Sequence, residues 1–241
     1  MNIPVPAFDG MALATQFTLA AVRPLAMLAL LPGFAGAPLP WRARLALVSA
    51  LASFAAFRPG APLLAPAMLP AELMAGLVAG VALAAAFAAA QLAGEVAAQM
   101  IGLGFANLGP EGGNVTALSG LFGLLMWGVL LASGAHLELL GALVAGQGAA
   151  PSGGITLAGV AALGSTMFAH GLAIALPVIG VLLLGNALVA IASRAAPQLS
   201  AMAVGPALLL MAFVSALPLL FLPLWGRLDQ ALNALLAWLP Q

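Results

Sequence analysis

The chain has 241 residues, 64% of them hydrophobic and 5% charged, and its six basic and six acidic side chains cancel to no net charge. A soluble domain carries roughly 25% charged residues, so this composition cannot build a water-facing surface and its solvent must largely be lipid. Balanced charge leaves no basic face for nucleic acid or an anionic substrate, and the absence of cysteine excludes disulfides and thiolate metal sites.

From the N-terminus, Asp9 precedes the first basic residue, Arg23. This is unlike the charged start of a cleaved signal peptide, so the first apolar segment is expected to stay in the mature protein. Lipid supplies no hydrogen-bond partners, so apolar spans must be helices or closed barrels. The segments show no period-2 alternation and are rich in Ala and Leu, which selects helices. The predicted helices cover about 11–31, 43–57, 70–103, 117–146, 155–192 and 200–225, with a short one at about 227–239. The expected fold class is therefore all-α: a polytopic membrane protein with about six long apolar helices and a short C-terminal amphipathic helix. No internal repeat or boundary divides residues 1–241, which are expected to form one unit.

Pro and Gly clusters punctuate these helices. Pro32-Gly33 with Pro38 and Pro40 ends the first, and Arg58-Pro59-Gly60, Pro62, Pro66 and Pro70 separate the second from the third. Gly148 to Gly154, with Pro151, separates the fourth from the fifth. Pro177, Pro206 and Pro218 fall inside apolar runs, where a kink is expected rather than an end. No charge occurs from Leu139 to Ser193 or from Ala195 to Gly226; the first run has room for two crossings or one long kinked helix. Arg42, Arg44 and Arg194 are expected on one side and Arg58 and Arg227 on the other, a split too even to orient the chain. In the last segment Leu228, Leu232, Leu235 and Leu239 recur at helical spacing, with Asp229, Gln230 and Asn233 elsewhere on the wheel and Trp238 near the end. Such a helix either lies in the membrane interface or packs against neighbouring subunits.

Catalytic constellations are absent from the sequence: it has no phosphate-binding GxxxxGK[ST], no HExxH and no thiol nucleophile. His136 and His170 stand on different predicted helices and read as hydrogen-bonded interior or interfacial residues. Neither a catalytic residue, a metal site nor a cofactor is expected. Gln91, Glu95 and Gln99 recur every four residues beside Gly94, making one polar stripe on a long apolar helix. An ionisable group at mid-membrane costs about 2.5–3.5 kcal/mol, so the stripe must face protein or water, as a helix-packing contact or a proton relay. Gly76 and Gly80 with the following alanines offer a face for close helix approach. Between two apolar helices, Gly102 to Gly120 reads GLGFANLGPEGGNVTALSG, with Glu111 its one charge. It is either a plain surface loop or a segment lining a passage, because irregular backbone at membrane depth persists only beside protein or water.

These residues, in order, resemble the FliR family of flagellar type III secretion, whose injectisome counterpart is SctT. The resemblance rests on Arg23-Pro24, Pro32-Gly33-Phe34, Pro38, Arg42 and Arg44, then Glu72 with Gly76 and Gly80. It continues through Ala93-Gly94-Glu95 and Gly102-Leu103-Gly104-Phe105-Ala106. It ends with Phe168, Ile174-Ala175-Leu176-Pro177-Val178, Asn186 and Arg194-Ala195-Ala196-Pro197-Gln198. The chain departs from the family in placing Pro110 after Gly109 where the family has Asp-Pro, and in Leu199-Ser200-Ala201 after Pro-Gln. The resemblance implies a non-enzymatic export-gate subunit in the bacterial inner membrane at the flagellar basal body. It implies FliP-like, FliQ-like and FlhB-like partners and unfolded flagellar proteins as cargo. It also implies helices paired as hairpins that need not each span the bilayer, and a channel plug formed by the loop carrying Gly104, Phe105, Asn107, Gly109, Pro110, Glu111, Gly112, Gly113 and Asn114. The alternative function is a small-solute transporter or permease that couples transport through Glu95.

Overall fold

Runs of alanine and leucine in an apolar solvent satisfy their backbone groups by winding into helices, and the elements follow that rule. A computed structural model of the chain describes residues 10–33, 40–103, 116–145, 157–195 and 201–237. In chain order the helices are α1 (Gly10–Ala29), α2 (Trp41–Phe57), α3 (Leu69–Ile101), α4 (Ala117–Ala132), α5 (Ala135–Ala145), α6 (Leu157–Ala195) and α7 (Ala201–Leu236), with a 3-10 turn at Pro66–Met68 before α3. Helix α3 closes on Gly102 at φ 86°, with the Leu103 amide donating to the Ala98 carbonyl at 2.9 Å. Glycine reaches that left-handed conformation without the steric cost of a Cβ.

Helix α3 is the axis of the bundle and packs against α1, α4, α6 and α7. A Cβ on Gly76 would overlap the Arg23 carbonyl oxygen, and one on Gly80 would stand 3.0 Å from the Met27 carbonyl oxygen. These two contacts advance together along both helices, so α1 and α3 run parallel with their backbones touching. On another side Gly171 of α6 faces α3, where a Cβ would be 3.0 Å from the Ala89 carbonyl oxygen. Helices α6 and α7 form an antiparallel hairpin, with Gly185 against Leu209 and Val189 against Gly205. One continuous core gathers Met27, Phe87, Phe122, Met126, Ile174, Leu182, Phe213 and Leu228 from five of these helices.

Several polar side chains inside this apolar body tie one element to another. The Arg23 Nε lies 2.9 Å from a Glu72 carboxylate oxygen, with side-chain exposures of 6% and 3%, tying α1 to α3. The Gln16 carboxamide bonds both the amide and the carbonyl of Leu64 at 2.9 Å, completing the extended chain between α2 and the 3-10 turn as a neighbouring strand would. Arg44 of α2 donates to the Ala29 and Leu31 carbonyls at 3.1 and 3.2 Å, serving acceptors freed where α1 ends.

Two expectations change. The fourth predicted helix is two, α4 and α5, bent by 68° at a break where Gly134 takes φ 77°. The short C-terminal amphipathic helix is not separate: α7 runs unbroken to Leu236, and Leu228, Leu232 and Leu235 are fully buried in the core. No chain-breaking turn intervenes at Gly226, so the leucine stripe continues the buried face of α7 instead of lying in an interface; Trp238 and Leu239 lie outside the described residues. Trp127 donates to the Gly33 carbonyl, two residues beyond the Leu31 carbonyl held by Arg44, and Gly128 packs on Trp225. These contacts tie α4 to the chain just beyond α1 and to α7.

Among the described residues, four helices qualify by length and composition as membrane spans, or five if α4 and α5 are one bent span. The Arg23–Glu72 pair gives a direct test of what holds α1 to α3. Glu72→Leu leaves a buried guanidinium without its counter-charge and is expected to cost about 3–5 kcal/mol, whereas joint Arg23→Met and Glu72→Leu replaces both charges by apolar groups and should recover most of that loss. The temperature at which the chain is lost from detergent-solubilised membranes of the native host measures both; a double variant as unstable as the single one would contradict the assignment.

Candidate functional site

The end of α3 and the start of α4 meet through two adjacent residues with opposite demands. Gly94 has no side chain, and a Cβ there would lie 2.6 Å from both the Leu118 carbonyl oxygen and the Ser119 Cα. That absence lets the first turn of α4 come against α3. Glu95, next in sequence, then reaches the residue preceding α4: its Oε1 accepts from the Thr116 amide at 3.2 Å and from the Thr116 hydroxyl at 3.1 Å.

Thr116 is the N-cap of α4, in extended conformation at φ −73° and ψ 159°, and its hydroxyl oxygen accepts from the Ser119 amide at 3.2 Å. Thr116 and Ser119 are both buried. The hydroxyl therefore passes one hydrogen bond on to Glu95 while receiving one from the helix. The carboxylate also sits where the α4 dipole is positive, a placement typically stabilising by about 0.3–1 kcal/mol. An N-cap of this type contributes about 1 kcal/mol. Chemically the cluster is a clamp: it fixes where the chain re-enters α4 after the segment that follows Leu103.

The polar stripe is only partly assembled. Gln91 and Glu95 are half-buried, with Gln91 lying across Gly123 of α4, while Gln99 is exposed. Gly104, Phe105, Asn107, Gly109, Pro110, Glu111, Gly112, Gly113 and Asn114 lie outside the described residues, as do Pro197 and Gln198. Among the other motif residues, Pro24 stands inside α1 beside the paired Arg23. Asn186 donates to the Leu182 carbonyl of its own helix at 3.0 Å, and Arg194 is exposed in the last turn of α6. His136 shares a hydrogen bond with the Leu130 carbonyl at 3.1 Å through Nδ1. Among the described residues, no three His, Asp or Glu side chains come together to hold a metal ion.

A second junction lies in the α6–α7 hairpin. Pro177 has no N–H, so it cannot serve the carbonyl four residues earlier, that of Ala173. Arg227 of α7 donates to that carbonyl through Nη1. The Ala173 acceptor is part-buried, and leaving a fully buried one unsatisfied costs about 1–3 kcal/mol, so the arginine replaces what the proline removes. Neither this pairing nor the Thr116 clamp was anticipated from sequence. The signals were present: Thr before an apolar helical run is an N-cap pattern, and a proline inside a helix implies an acceptor left over at the preceding turn.

The clamp separates a packing role for Glu95 from a proton-coupling one. Glu95→Gln keeps a carbonyl oxygen able to accept both Thr116 bonds, so assembly and function are expected to survive. Glu95→Leu and Thr116→Val should each weaken the folded assembly by about 1 kcal/mol, and by less than the sum together, because they remove the same bonds. The thermal stability of the chain in detergent-solubilised membranes, alongside a functional assay in cells, reads this out. Loss of function in Glu95→Gln with unchanged melting would indicate proton coupling instead.

The sequence profile of the family described as bacterial export proteins, family 1, matches residues 14–234. No curated protein matches the chain closely enough to be named as a relative. The matched stretch runs from α1 into the last turn of α7 and so includes both junctions. The chain is a multi-pass membrane protein of the type III export apparatus and belongs to bacterial export protein family 1, the FliR/SctT family.

Proposed function

We propose that the chain is a non-enzymatic subunit of a flagellar type III export channel in the bacterial inner membrane, at the flagellar basal body. In this reading it assembles with FliP-like and FliQ-like subunits, with an FlhB-like protein on the same complex, and conducts unfolded flagellar proteins. The family match over residues 14–234 carries the proposal. Helix dimensions support it: α6 and α7 have 39 and 36 residues, about 58 and 54 Å at 1.5 Å per residue, against a hydrocarbon layer of about 30 Å. Both helices expose large apolar residues along their length, among them Phe168, Leu184, Leu188, Met211, Leu219 and Leu222. Apolar helices longer than the lipid layer need other protein to sheathe the excess, which a channel assembly provides. Against a solute transporter, the Glu95 carboxylate is engaged in holding the α4 N-cap.

Expressed alone, the chain is expected to aggregate or be degraded; with FliP-like and FliQ-like partners it should co-purify in detergent as one complex. A monodisperse, functional monomer would overturn the reading. The plug assigned to Gly104–Asn114 by family resemblance has its own test, in which residues 106–114 are removed and the Thr116 cap is spared. The shortened complex should assemble and conduct ions and small dyes more readily than the intact one. Equal conductance would remove the plug and leave the family assignment standing, while leakage of one solute class alone would point to a transporter gate.

A further inference from the structure

We infer that Arg227 is a register pin for the α6–α7 hairpin, required because Pro177 leaves the Ala173 carbonyl without its helical donor. The chemistry is local. A helix in apolar surroundings has no water to serve a freed carbonyl, and proline both removes the N–H and crowds the carbonyl one turn back. Arg227 supplies the donor from the partner helix. Arginine suits the task because its fork of donors is always charged and reaches along its own apolar stem.

The neighbouring contacts explain why one bond matters. Around the junction α6 presents Ile174, Ala175, Val178 and Leu182, all fully buried. Further along, the hairpin closes through Gly185 against Leu209 and Val189 against Gly205. These contacts are apolar and small, so they favour close approach without fixing how far one helix has slid along the other. A hydrogen bond from a charged donor to one named carbonyl is directional and does fix it. Proline and arginine therefore form a matched pair: the first frees an acceptor in the interior of the helix, where the neighbouring carbonyls are held by the helix itself, and the second recognises it. Arg227 is a positioning residue, independent of whether the assembly exports protein.

Because the chain has no cysteine, register is measurable as disulfide formation in one engineered pair, Val189→Cys with Gly205→Cys, in the complete assembly under mild oxidation. A Cβ on Gly205 stands 3.8 Å from a Val189 methyl carbon, so the pair reports the native register. Arg227→Met is expected to lower the crosslinked fraction relative to the uncrosslinked one by about tenfold, the ratio carried by loss of one hydrogen bond to a charged group. Pro177→Ala returns a backbone N–H to the helix, so it should keep full crosslinking alone and restore it in combination with Arg227→Met. Should Arg227→Met fail to accumulate, the chain level in membranes becomes the readout, and Pro177→Ala must restore it. The inference is overturned if Arg227→Met crosslinks normally, if Pro177→Ala alone abolishes crosslinking, or if Pro177→Ala does not rescue Arg227→Met. The last result would mean that Arg227 acts through its charge and not as the replacement donor.

Discussion

Helices can share one central neighbour only if that neighbour presents little bulk, and α3 meets this condition with glycine and alanine. Gly76 and Gly80 admit the α1 backbone, Gly94 admits the first turn of α4, and Ala89 meets Gly171 of α6. In lipid the hydrophobic effect does not drive helices together, so packing and hydrogen bonding must. Close backbone approach increases the dispersion contacts available to each turn and leaves few side-chain rotamers to freeze. The arrangement is correspondingly intolerant, because the atoms facing Gly76 and Gly94 are backbone and cannot swing aside.

The few polar side chains then serve the loose ends that such a bundle creates. Gln16 completes an extended linker, Arg44 serves the end of α1, Glu95 and Thr116 begin α4, and Arg227 serves a carbonyl freed by proline. Arg23 and Glu72 are joined as an ion pair between buried side chains. With 5% charged residues, several of the few polar side chains are committed to backbone or side-chain partners, Glu95 among them. This favours a structural account of Glu95 over one in which its carboxylate is free to exchange a cation.

Much of this was legible in the sequence, for reasons that also explain the rest. Composition forces helices, and Pro-Gly clusters mark their ends, so α1, α2, α3 and α6 fall close to their predicted spans. The Ser133-Gly134 break was missed because a single glycine inside an apolar run signals a kink no more strongly than the many other glycines here. The end of α7 was misread because helical periodicity shows that one face is apolar without saying whether lipid or protein covers it. The Gly94–Glu95 position was recognisable, but its partner, Thr116, lies 21 residues on. Pairings at such separation, like Gln16 with Leu64 and Arg227 with Ala173, depend on helix packing that no local pattern encodes.

The central position of α3 has a consequence in time. Synthesis completes α3 at Ile101, whereas α7 ends at Leu236, 135 residues later. At about 5–20 residues per second, α3 waits roughly 7–27 s before its last neighbour exists. Helix α1 is already made and α4 follows soon after, so the Gly76 and Gly94 sides close early. The sides that receive α6 and α7 stay unoccupied for most of that interval, and the central helix, made early, is enclosed last.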